Sequence, residues 1–287
     1  ETEGSTLEVI ADLPCHIPQE GYIYVNGKRH NIGVYKRNRY KEEQYWAIDP
    51  RWKEYANWKA EQDTRQTTDK SYSHPKLVVF INECWLYRLG GFWFYNNGVP
   101  TYITGKYWFY LNCIHLDTGL PRYREMDRQF FNVWQYSEED PNSMGVLYLT
   151  KRRSGKSYIG GSLSIEYATR LKQFNVGIQS KTQPDAKKAF KKCVIMPYRQ
   201  LPYFFTVKDT NMTTKVPENE LVFRSNKANS DFDDELSSRI DFAASGEGAY
   251  DGQKLGYYFA DEVFKPQEVN VAERWSVVQF CLKDYDG

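Results

Sequence analysis

The stretch LYLTKRRSGKSY, residues 147–158, limits the fold of this chain more than any other. An apolar run ends at Thr150, a basic turn follows, and Gly155-Lys156-Ser157 opens a segment with helical character. Lys151, Arg152, Arg153 and Lys156 crowd four like charges into six residues. Such crowding calls for a strongly negative visitor. A strand, a glycine turn and a helix start form a phosphate cradle, because loop amides and the positive end of the helix dipole converge on one point. Arg153, Ser154, Gly155, Lys156 and Ser157 are the expected phosphate-binding residues. Lys156 would reach the outer phosphates and the Ser157 hydroxyl would hold Mg²⁺. The full pattern G-x-x-x-x-G-K-[ST] is incomplete, since Thr150 stands where its first glycine belongs.

A second segment supplies the complementary half. LGYYFADE, residues 255–262, is an aromatic strand closed by Asp261-Glu262. A strand end beside a phosphate loop is where a metal-binding aspartate belongs. Asp261 is therefore expected as the Mg²⁺ ligand with Ser157, and Glu262 as the general base that polarises an attacking water. The two segments together point to hydrolysis of Mg²⁺-ATP.

From Gly145 onward, short β-branched and aromatic runs alternate with helical ones. GVLYLT, FNVGIQS, ELVFRS, RIDFAAS and KLGYYFAD read as strands, and GKSYIGGSLSIEYATRLKQ and QPDAKKAFKK as helices. That grammar predicts an α/β fold with a mostly parallel central sheet. Residues 1–120 read as an aromatic-rich N-terminal subdomain and 121–287 as the ATPase core. In the former, Asn26-Gly27 predicts a hairpin, and Trp52, Tyr55 and Trp58 recur at helical spacing. The aromatic block between residues 85 and 110 reads as core. In PRYREMDRQFF, a helix is expected from about Tyr123 to Tyr136.

Composition excludes several classes. Basic and acidic residues nearly balance, 38 against 37, so any polyanion site is a local patch rather than a global field. KKAFKK (187–192) and KRNRYK (36–41) are such patches, and the first reads as a solvated helix face. The acidic run DFDDE (231–235) reads as a solvated loop. The five cysteines have no Cys-x-x-Cys spacing and read as reduced thiols of a cytosolic protein, and the four histidines lack metal-ligand spacing. No apolar run approaches a membrane span, and the acidic opening does not read as a signal peptide.

With LYLTKRRSGKS, KLGYYFADE and the upstream ITGKYWFYLNCIHL and PRYREMDRQFF, the chain resembles the ATPase part of the large subunit of bacteriophage terminases, most of all those of crAss-like phages. The resemblance covers about residues 100–265. Terminases replace the first glycine of the loop and set an arginine before its Gly-Lys-[ST], as Arg152 and Arg153 do here. The resemblance implies a P-loop NTPase of the additional-strand type that uses ATP and Mg²⁺ to drive double-stranded DNA into a procapsid. It further implies Arg152 or Arg153 as γ-phosphate sensor, Tyr123, Arg124 and Gln129 as candidates beside adenine, and a ring oligomer working with a portal and a small terminase subunit in the host cytoplasm. The family's nuclease domain follows the ATPase and is expected to lie outside these residues. Its coupling motif, a Ser/Thr-rich strand end after the carboxylate pair, is not visible, and Asp251-Gly252 stands where an Arg-Gly finger belongs. Arg239, Arg224 and Arg152 remain as candidates for the finger, with Arg239 favoured as an ordinary surface cation. Two rival functions stay open: a helicase-like DNA-dependent ATPase and a non-catalytic nucleotide-binding scaffold.

Overall fold

The structure is a computed structural model of all 287 residues. It describes residues 22–25, 28–31, 49–96, 99–151, 154–207, 216–223, 236–244, 246, 248–264 and 270–282. The Cys15-His16 pair, the basic cluster at 36–41, Arg152, Arg153, Arg224 and the acidic run at 231–235 fall outside these residues. The chain divides into two compact units, one of Glu1–Asn112 with Pro121–Tyr148, the other of Cys113–Leu120 with Leu149–Gly287.

The first unit is built on aromatic packing. β1 (Tyr22–Val25) and β2 (Lys28–Asn31) form the antiparallel hairpin that Asn26-Gly27 predicts, with Val25 opposite Lys28. A short 3₁₀ turn (Pro50–Lys53) leads into α1 (Tyr55–Arg65), which packs on α2 (Pro75–Gly90). The expected stripe explains the contact: Trp52, Tyr55 and Trp58 all surround the Phe80 ring, at centroid distances of 5.1, 6.2 and 6.1 Å. β3 (Phe92–Asn96) and β4 (Val99–Ile103) form a second hairpin, followed by α3 (Gly105–Cys113) and α4 (Glu125–Glu139). Phe131 of α4 stacks on Tyr107 of α3 at 5.0 Å. The hydroxyl of Tyr107 donates to the Arg124 carbonyl and accepts from the Arg124 amide, tying α3 to the start of α4.

The second unit is α/β. α5 (Lys156–Ala168) is buried without interruption from Ile159 to Ala168, as a helix at the centre of a core must be. Its neighbours are β5 (Asn175–Gln179) and α6 (Gln183–Phe190), which continues through a π turn (Lys191–Ile195) to Tyr198. β6 (Glu220–Phe223), β7 (Ser238–Ala243), β8 (Tyr257–Ala260) and α7 (Val271–Cys281) complete the unit. The sheet runs β6-β7-β5-β8. It is mixed: β5 lies parallel to β7 and β8, while β6 pairs antiparallel with β7. Two glycines let α5 come close to its neighbours. A Cβ on Gly161 would lie 2.2 Å from the Cys193 carbonyl oxygen in the π turn, and one on Gly160 would meet the Phe259 ring at 2.6 Å.

One expected strand is absent. Residues 145–151 adopt no strand, and Leu147 and Leu149 are 66% and 76% exposed. A strand exists only through the ladder of a neighbour, and no described strand pairs with this segment. Its continuous apolar run satisfies the sequence pattern without meeting that condition.

No helix among the described residues is long and apolar enough to cross a membrane. Cys84, Cys113, Cys193 and Cys281 are buried free thiols.

Candidate nucleotide site

Two segments 104 positions apart in sequence meet in the second unit. The Ser157 hydroxyl donates to Asp261 Oδ2 at 2.5 Å. Each side chain is placed by simple local chemistry. Gly155 caps α5 in the left-handed region, with φ 91°, where a side chain would be strained. Its carbonyl accepts from the amides of Tyr158 and Ile159, which starts the helix at Lys156. Ser157 thus lies in the first turn, where helix amides have no partner within the helix. Asp261 directly follows β8, and its amide donates to the Gln179 carbonyl at 2.8 Å, extending the β5–β8 ladder by one rung.

Asp261 has one oxygen to spare. Oδ2 takes the serine hydroxyl, whereas Oδ1 is buried and accepts no hydrogen bond among the described residues. An unsatisfied buried carboxylate oxygen is costly, on the order of 1–3 kcal/mol or more. Lys156 is half-buried and forms no ion pair among the described residues. The group that would relieve both is a cation for the carboxylate together with an anion for the lysine. Mg²⁺ fits the donor set, because it is bound by one or two protein oxygens and completes its shell with water and substrate phosphates.

Glu262 sits in a strained turn. Its φ is +56°, a conformation that costs an L-residue about 1–2 kcal/mol. Its carboxylate forms an ion pair with Lys181 at 3.4 Å. Lys181 lies two residues beyond β5 and also approaches Asp185 at 3.7 Å.

Gln179, the last residue of β5, is fully buried and holds three strand ends together. Its amide nitrogen donates to the carbonyls of Ala244 and Gly246, and its oxygen accepts from the Tyr258 hydroxyl. Neither Lys181 nor Gln179 stands out in the sequence. The available signal was position: both lie at the end of a strand next to the one that carries Asp261. A third group flanks the loop. Asp117 accepts from the Tyr158 hydroxyl at 2.6 Å and pairs with Lys192 at 2.5 Å. Lys192 and Tyr158 hold the Asp117 carboxyl below its usual range, and burial pushes the Tyr158 hydroxyl up.

Of the expected site residues, the structure gathers Gly155, Lys156, Ser157, Asp261 and Glu262 at one end of the sheet, with buried Ser154 preceding the turn. Tyr123 and Gln129 belong to the first unit. There the Tyr123 hydroxyl donates to Glu125 at 2.6 Å, its ring edge meets Phe94, and Gln129 is exposed on α4. Arg239 is engaged on β7, 3.5 Å from Asp241 and hydrogen-bonded to Gln253 at 2.8 Å. No protein-family model matches the chain, and no curated protein matches it in sequence.

Proposed function

We propose that the second unit is the ATPase of a terminase-like packaging motor, in which hydrolysis of Mg²⁺-ATP moves double-stranded DNA. The observation that carries the nucleotide reading is the contact between Ser157 and Asp261, beside a buried carboxylate oxygen that lacks a hydrogen bond among the described residues. A serine at a helix start hydrogen-bonded to a strand-end aspartate is the arrangement a phosphate-bound Mg²⁺ requires. When bound, the ion would neutralise phosphate oxygens. Lys156 would contact the outer phosphates, Ser157 and Asp261 would hold the ion, and Arg152 or Arg153 would sense the γ-phosphate. Glu262 would accept the proton of the attacking water, with Lys181 orienting its carboxylate. The DNA-moving part of the reading rests on the resemblance of the loop, carboxylate and upstream motifs. Portal, small subunit and ring assembly are proposed on the same ground.

Lys156→Ala is the test of the cradle. Titration of the Mg²⁺ complex of a non-hydrolysable ATP analogue should show affinity weakened at least tenfold, with the thermal unfolding midpoint of the free protein little changed. Equal affinity of parent and variant would reject the site.

A further inference from the structure

The sequence window KKAFKK reads as a solvated face, but the folded chain extends it. α6, the π turn and the last helical residues form one continuous helix from Gln183 to Tyr198. Ala186, Phe190, Cys193, Val194, Ile195, Pro197 and Tyr198 are buried against the unit. Lys188, Lys191, Lys192, Met196 and Arg199 are exposed. Arg199, exposed at the C-terminal cap of this helix, adds a further cation beyond the lysines.

Their partners differ. Lys187 pairs with Glu218 at 3.3 Å and Lys192 with Asp117 at 2.5 Å, while Asp185 at the helix start faces Lys181. Lys188, Lys191 and Arg199 form no ion pair among the described residues. Lysines 187, 188, 191 and 192 border an open depression with Pro184 and Met196. Lys188, Lys191 and Arg199, three cations without an ion pair among the described residues, are spread over twelve residues and span roughly 16 Å of helix, about the axial rise of five nucleotides of one strand. The charge of Lys188 is also felt by Asp185.

We propose that this stripe is a docking surface for the phosphate backbone of double-stranded DNA. The inference rests on the motor reading above and deepens it by naming the surface. Charge complementarity supports a polyanion, in a chain whose net charge is only +1. Duplex is favoured over single strands, because stacking on unpaired bases needs exposed aromatic faces and the stripe carries none. A lipid surface is disfavoured too: Met196 is the one large apolar side chain exposed on this helix among the described residues, far short of a membrane-inserting face.

The test is binding of a labelled 30-base-pair duplex of arbitrary sequence, followed by anisotropy across a salt series. It compares the parent, the triple variant Lys188→Gln/Lys191→Gln/Arg199→Gln, and a control with equal charge loss, Lys53→Gln/Lys70→Gln/Lys76→Gln, on exposed first-unit positions. Each lost phosphate contact should lower the log-affinity against log-salt slope by about 0.9. The triple variant should therefore lose about 2.7 in slope and at least tenfold in affinity, while the control keeps the parent's slope. Matching thermal unfolding curves show that the variants fold. Equal losses in both variants, no loss in the triple variant, no duplex binding by the parent, or binding to anionic vesicles in place of duplex would each overturn the proposal. ATP hydrolysis by the parent without DNA tests the nucleotide site alone, so failure there is told apart from failure of the stripe.

Discussion

Two groups of carboxylates are treated in opposite ways. In the first unit, acids are neutralised by nearby arginines: Arg124 clasps Asp127 at 2.7 and 2.8 Å, Arg128 holds Glu125, and Arg51 bridges Asp49 and Glu83. The second unit does the same at Glu166, held by Arg170 at 2.6 Å, but at the end of β8 Asp261 keeps a buried oxygen without a hydrogen bond among the described residues, and Glu262 occupies a left-handed turn. Local neutralisation stabilises a scaffold and leaves little to offer a ligand. Unsatisfied oxygens and strained backbone persist where the surrounding fold holds them, and such places gather at sites of binding and chemistry. Asn132 Oδ1 in the first unit is also buried without a hydrogen bond among the described residues, so what sets the end of β8 apart is the pairing of such an oxygen with a left-handed acidic neighbour.

The sharpest way to break the contrast is the same chemical change made in both units. Glu262→Gln removes the proposed general base and should slow ATP hydrolysis by about 10²–10⁴-fold while the nucleotide still binds. Glu83→Gln, in the arginine-neutralised unit, should leave turnover within a factor of two. Single-turnover measurements with both variants decide it, and similar rates for the two would remove the distinction.

A second contrast concerns stability. Phe131, 1% exposed and stacked on Tyr107, belongs to the packing that defines the first unit. Phe131→Ala should destabilise that unit by about 3–5 kcal/mol, read as a lower denaturation midpoint. A cost below about 1 kcal/mol would mean that the aromatic cluster is not the core it resembles.

Much of this was legible because local chemistry and tertiary position agreed. Gly155-Lys156-Ser157 announces a helix start by its glycine, and Asp261-Glu262 announces a strand end by the aromatic run before it. The Trp52, Tyr55 and Trp58 spacing gave a helix face, and the first hairpin turn was marked by Asn26-Gly27. Gly145 to Thr150 misled for a physical reason: a short apolar run licenses a strand but supplies no partner edge. Lys181 and Gln179 were illegible because their roles come from the parallel pairing of β5 with β8, which joins residues about 80 positions apart. The cation stripe was only half visible, since KKAFKK names four lysines but not which of them are already paired by Glu218 and Asp117.

The smallest expected effect separates two aspartates of the second unit by the sign of their pH dependence. Asp241 is pushed above its ordinary value of 3.8, chiefly by burial; the hydrogen bond from Tyr250 and the charge of Arg239 oppose this, and Glu220, its cross-strand neighbour, adds to it. The native state then binds the proton more tightly than the unfolded chain, so stability falls as pH rises through the interval above 3.8. Asp241→Asn should be slightly more stable than the parent at pH 7. That advantage should vanish near pH 3, where the parent carboxyl is protonated in both states. Asp117 is shifted the other way, first by Lys192 and then by Tyr158, so its contribution is present above 3.8 and lost as pH falls through its lower native value. Asp117→Asn should therefore be slightly less stable than the parent at pH 7, with the difference closing on acidification. Thermal unfolding of both variants at pH 7 and pH 3 checks the pair. Differences of the same sign at pH 7 would mean that burial at Asp241 does not outweigh Arg239 and Tyr250, and that the second unit neutralises this acid as the first unit neutralises its own.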